Sequence, residues 1–129
     1  MSRNKVIIIL LVIISSCNKA EVVLTSPDLY LNTCVSRRIN IESINICFSG
    51  LNDSRCPIDA TCVWSGEARA TFTFIHNNKS HTITLSTLTY ASDTLVDGYK
   101  FHLVNILPYP SISFPSPLSQ IHAELEISR

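Results

Sequence analysis

Apolar and polar residues alternate along most of this chain with a period of two. Ile44, Ile46 and Phe48 alternate with Asn45, Cys47 and Ser49, and Ala68, Ala70, Phe72 and Phe74 with Arg69, Thr71 and Thr73. The same rhythm runs through Ile83 and Leu85, through Tyr99, Phe101 and Leu103, and through Ile121, Ala123, Leu125 and Ile127. Successive side chains of a strand point to opposite faces, so each run predicts a strand with one buried and one solvated face. Its β-branched and aromatic content agrees. No run beyond the N-terminus carries the period of an amphipathic helix, although Ser92 to Val96 has room for a single helical turn. Asn77-Asn78-Lys79-Ser80 predicts a hairpin turn, because Asn tolerates positive φ, and Asp97-Gly98 predicts another. Six or seven short strands over this length predict an all-β fold. The expected form is an antiparallel β-sandwich, Ig-like in general architecture and stapled by disulfides, with a small β-barrel as the runner-up.

The N-terminus breaks the rhythm. Arg3 and Lys5 precede the unbroken apolar run Val6 to Ile14. That run is too short to span a bilayer, which takes about 20 residues, but it suits a secretory signal peptide. An ordinary cleavage site fits poorly, because cutting after Ser16 or Ala20 leaves Ile14 or Asn18 where a small residue belongs. Ile14-Ser15-Ser16-Cys17 instead resembles the lipobox of bacterial lipoproteins. The resemblance implies a lipoprotein signal peptide over 1–16, lipidation of Cys17, a short tether over 17–27 and a single β domain over 28–129. Two or more acyl chains on one residue hold stably to a membrane. Asn18 replaces the Asp that in such lipoproteins favours inner-membrane retention, so the resemblance points to the cell envelope and its outer membrane.

Removing residues 1–16 leaves 113 of the 129 residues, enough for one domain with a real core. It also removes two of the ten basic residues and none of the ten acidic ones, so the net charge becomes −2. Such a chain carries no basic field for nucleic acid. The one compositional shift is Pro108 to Pro117, with four prolines in ten residues, which reads as a stiff surface loop. Its Tyr109 and Phe114 are the candidates for an exposed binding surface, with ordinary packing of the rings as the alternative.

Setting Cys17 aside leaves Cys34, Cys47, Cys56 and Cys62, an even number that reads as a disulfide framework in a small exported domain. Cys34 and Cys47 both fall on the polar parity of their runs. If those runs are neighbouring strands, the two cysteines share a face and can bond across it, which leaves Cys56 for Cys62. An immunoglobulin-type core disulfide is not supported, since Trp64 adjoins Cys62 instead of following the first Cys by about a dozen residues. Zinc at Cys56 and Cys62 would need a tighter spacing and a second ligand pair. His76, His81, His102 and His122 form no such pair in sequence. Thiol–disulfide catalysts use a two-residue spacer at a helix start, which this stretch lacks. A cofactor and a metal are accordingly not expected, although metal or redox chemistry at Cys56 and Cys62 is the alternative reading.

Asp53-Ser54-Arg55-Cys56-Pro57, four residues, Cys62-Val63-Trp64, then Gly66 and Ala68 resembles a D-S-R-C-P-x4-C-x-W-x-G-x-A motif of small secreted bacterial proteins and lipoproteins of unassigned function. The resemblance covers roughly residues 40–129. It implies a β domain with one disulfide in the motif and supplies no catalytic residue. Within the motif, Asp53 and Arg55 are read as a buried ion pair that pins a crossover, or else as functional groups. Pro57 stiffens the loop. Trp64 is read as packing over the disulfide, with ligand binding as the alternative. Gly66 is expected to provide the turn into the next strand. No nucleophile elbow, paired carboxylate motif or glycine-rich phosphate loop is present. The expectation is a lipid-anchored, non-enzymatic envelope protein that binds another envelope protein or a glycan.

Overall fold

The computed structural model describes residues 24–129. The expected signal peptide, the lipidation site Cys17 and the first part of the tether lie outside the described residues.

Eight strands form two antiparallel sheets: β1 (Leu24–Tyr30), β2 (Cys34–Ile39), β3 (Glu42–Asp53), β4 (Ala68–His76), β5 (Lys79–Ser86), β6 (Asp93–Val96), β7 (Tyr99–Leu107) and β8 (His122–Ser128). One sheet runs β1-β8-β7-β6 and the other β2-β3-β4-β5. The sheets do not close into a barrel, so the architecture is a β-sandwich held by two disulfides, Cys34–Cys47 and Cys56–Cys62. Ile44, Ile46 and Phe48 of β3 and Phe72 and Phe74 of β4 point inward from one sheet. Phe101, Leu103, Ile106, Leu125 and Ile127 meet them from the other. The alternation seen in the sequence is this division between inner and outer faces.

The strand count exceeds the expected six or seven, and two elements account for the difference. β1 begins at Leu24, inside the stretch read as tether, because its backbone pairs with β8 from Leu24 opposite Ile127 to Tyr30 opposite His122. The register shifts between Ser26 and Leu29, so Pro27, which has no N–H to donate, falls at an irregularity where a ladder bond is dispensable. β6 occupies most of Ser92 to Val96, where a helical turn had room to form. Asp97 and Gly98, with φ of 50° and 79°, make a tight turn that folds β6 onto β7. A one-turn 3₁₀ helix lies just before, at Thr89–Ala91. The hairpin turn expected over Asn77-Asn78-Lys79-Ser80 is made by Asn77 and Asn78, with φ of 49° and 60°, while Lys79 and Ser80 already belong to β5.

All three hairpin turns, at 40–41, 77–78 and 97–98, lie at one end of the sandwich, together with Leu24 and Arg129. The long connections 54–67 and 108–121 lie at the opposite end.

Candidate functional site

The end opposite the hairpins is built from the motif loop and the proline-rich loop, and each holds the other. Arg55 is the central strut. Its guanidinium makes a two-pronged pair with Asp53, Nε to Oδ1 at 2.8 Å and Nη2 to Oδ2 at 2.6 Å. Nη1 donates to the carbonyl of Ile106 at 2.8 Å, near the end of β7 just before the proline-rich loop. The carbon of the guanidinium sits 4.4 Å from the centre of the Tyr109 ring, a cation–π contact. Arg55 is only 6 % exposed, so a charged group lies buried with all of its directions used. The Asp53–Arg55 pair therefore reaches from β3 to the end of β7 and ties the two sheets at this end.

Asp59 is the second tie. It sits inside the ring closed by Cys56 and Cys62, and its carboxylate accepts from the Ile112 amide at 2.8 Å, the Ser113 amide at 2.7 Å and the Ser111 hydroxyl at 2.9 Å. The Ile112 and Ser113 amides hold its carboxyl well below the usual carboxylate range. The Ile58 amide adds a bond to the Pro110 carbonyl at 3.0 Å. Sequence reasoning did not single out Asp59, because its partners lie half the chain away.

Gly66 does more than turn the chain. Its φ is +70°, and a Cβ built there would stand 1.9 Å from the Ser54 carbonyl oxygen. The motif needs glycine here because the two sides of the loop touch, with Cys56 N–H bonded to Ser65 O and Ser54 N–H to Glu67 O. Trp64 differs from the packing expectation: it is 63 % exposed, next to a fully exposed Val63.

Of the two aromatic candidates in the proline-rich loop, Phe114 is 82 % exposed and Tyr109 39 % exposed. Tyr109 also lines an open groove of about 730 Å³ with Tyr30, Leu107, Pro108, Gln120 and His122. Tyr30, His122 and Leu107 stand side by side across β1, β8 and β7 on the outer face of their sheet, and the Tyr30 and His122 rings are 5.4 Å apart. Apart from the imidazole, the lining carries no ionisable nitrogen or carboxylate, so the groove suits a neutral ligand with apolar faces and a few hydrogen-bonding groups.

At the hairpin end the fold assembles a second cluster that no sequence spacing revealed. His76, only 4 % exposed, faces Asp97 with Nδ1 at 2.6 Å and Glu42 with Nε2 at 3.0 Å. Tyr99 donates to Glu42 at 2.5 Å, and Arg129 also pairs with Glu42. The Tyr99 hydroxyl lowers the Glu42 carboxyl, helped by Arg129 and His76. Burial, and then the bond to Glu42, push the Tyr99 phenol up to about 12. Every group here is satisfied by another, so the cluster reads as a clasp between the sheets. Cys56 and Cys62 are bonded to each other, as are Cys34 and Cys47, and among the described residues no three His, Cys, Asp or Glu side chains are placed so that they could hold a metal ion.

No protein-family model, curated protein or solved structure matches this chain.

Proposed function

We propose that this protein is a lipid-anchored, non-enzymatic binding module of the bacterial cell envelope. Its partner, an envelope protein or a glycan, would meet the end formed by the motif loop and the proline-rich loop. The observation that carries this reading is the fastening of those two loops. A disulfide, the Arg55 strut and the Asp59 clamp hold them, yet Ile58, Trp64, Ile112 and Phe114 remain mostly exposed. Rigid loops that show apolar side chains lose little entropy when they bind. The aromatic groove beside them is a continuation of the same surface. The lipobox-like Ile14-Ser15-Ser16-Cys17 supports the anchor, and the two disulfides accord with an oxidising compartment.

The test is crosslinking of the full-length protein in its native envelope, beside screening of the purified protein on a glycan array. Wild type should capture a partner that the Tyr109→Ala and Phe114→Ala variants lose, with Phe114→Ala keeping the wild-type Tm. Equal capture by all three proteins, or none by any, would count against the reading. An intact mass without acyl chains on residue 17 would remove the anchor.

A further inference from the structure

The charges of the sandwich are sorted by end. Within three paired residues of the hairpin turns stand Arg37, Arg38, Lys79, Lys100 and Arg129, five of the seven Lys and Arg among residues 24–129. Only two of the nine acids in that range, Glu42 and Asp97, stand there, and both are engaged in the His76 cluster. This end thus has a surplus of three positive charges, although the domain as a whole is acidic. Arg38, Lys79, Lys100 and Arg129 are exposed. The same end shows two apolar side chains to solvent: Ile41, at the tip of the β2–β3 turn, is 94 % exposed, and Leu95, on the edge strand β6, is 72 % exposed. An isoleucine at a turn tip serves neither the turn nor the core. Basic side chains around an exposed apolar tip match a surface of anionic headgroups over hydrocarbon.

The path of the chain agrees. Leu24 enters the fold at this end. From residue 17 to residue 24 the chain spans at most about 25 Å even when fully extended. We infer that the hairpin end docks on an anionic lipid surface, with Ile41 at the headgroup boundary and Lys79, Lys100 and Arg38 on the phosphates. The placement of this surface beside the membrane rests on the anchor reading; the charge and the apolar tip do not. Docking in this way points the motif loop, the proline-rich loop and the aromatic groove away from the membrane.

The test is hydrogen exchange of the full-length mature protein in vesicles of zwitterionic lipid, with and without phosphatidylglycerol, with intact mass measured on the same sample. Each basic residue near an anionic surface favours contact roughly fivefold, so a surplus of three gives about a hundredfold bias. The amides around 38–43, 76–81 and 96–101 should be slowed on anionic vesicles only. Lys79→Glu with Lys100→Glu should abolish the difference, and Ile41→Asp should weaken it. Equal exchange in both lipids, protection of 108–118 instead, or protection that needs envelope extract in place of anionic lipid would overturn the proposal. If the mass shows no acyl chain, the anchor reading fails separately. Flotation of that unacylated protein then decides the docking: about a hundredfold more on anionic vesicles supports it, and equal flotation overturns it.

Discussion

Asp59 accepts the amide of Ser113 at 2.7 Å, joining residues 54 positions apart. One carboxylate inside a seven-residue disulfide ring thereby sets the conformation of a proline-rich loop that belongs to the other sheet. Replacing Asp59 with Ala should free the Ile112 and Ser113 amides to exchange with solvent. Exchange in the core strands, such as at Phe72 and Leu125, should not change. Unchanged protection at Ile112 and Ser113 would show that the prolines alone hold the loop.

Arg55 connects the motif to both the sheet end and the groove. Arg55→Ala leaves Asp53 and the Ile106 carbonyl without their buried partner, and should cost about 3–5 kcal/mol in urea unfolding. Arg55→Lys should recover only part of this, since an ammonium cannot serve the carboxylate fork, the carbonyl and the Tyr109 ring together. A lysine variant as stable as wild type would refute the strut.

The two positive-φ glycines should respond very differently to alanine. At Gly66 the new methyl collides with the Ser54 backbone, so the loss should be about 3 kcal/mol or more. At Gly98 nothing lies within 4 Å, and only the backbone preference of about 1–2 kcal/mol is lost. Comparable Tm shifts in the two variants would contradict the close approach of the motif loop.

Denaturing the oxidised protein without reductant and alkylating it should label none of Cys34, Cys47, Cys56 and Cys62. Replacing Cys56 and Cys62 together with Ala should cost about 2.4 kcal/mol, and replacing Cys34 and Cys47 about 3 kcal/mol, from the lengths of chain they close. Either is a large part of the roughly 5–15 kcal/mol available to a domain. Labelled thiols in the native protein would reopen metal or redox chemistry at Cys56 and Cys62.

The clasp around His76 predicts a pH dependence at both extremes. Glu42, lowered chiefly by Tyr99, and Asp97, lowered chiefly by His76, are carboxylates whose folded values lie below their unfolded ones. Their contribution is present above the ordinary carboxylate value of about 4 and is lost as pH falls through the lowered values. Tyr99 works in the opposite sense: its contribution is present below the ordinary phenol value of about 10 and is lost as pH rises through about 12. Thermal melts should show Tm falling in both ranges, and Glu42→Gln should flatten both falls. A Glu42→Gln profile parallel to wild type would show that the clasp contributes no pH-dependent stability.

Much of this architecture was legible in the one-dimensional pattern. The period of two marked the inward sides of β3, β4, β5, β7 and β8, because a strand buried on one face must alternate. Asn77-Asn78 and Asp97-Gly98 marked their turns, because few residues accept positive φ. The parity of Cys34 and Cys47 anticipated their pairing, since directly opposed residues of neighbouring strands share a face. What is set by contact between distant segments was not legible. β1 is a strand through its pairing with β8, and β6 through its pairing with β7, so neither needed a strong pattern of its own. His76, Glu42, Asp97 and Tyr99 have no meaningful spacing in the chain and meet only where the two sheets close. Asp59 looks like any loop acid until residues 111–113 arrive beside it. The sequence alone determined which residues face the core, because hydrophobic burial repeats locally along a strand. Only the tertiary structure decided which polar groups meet, because a hydrogen bond depends on where two remote backbones come together.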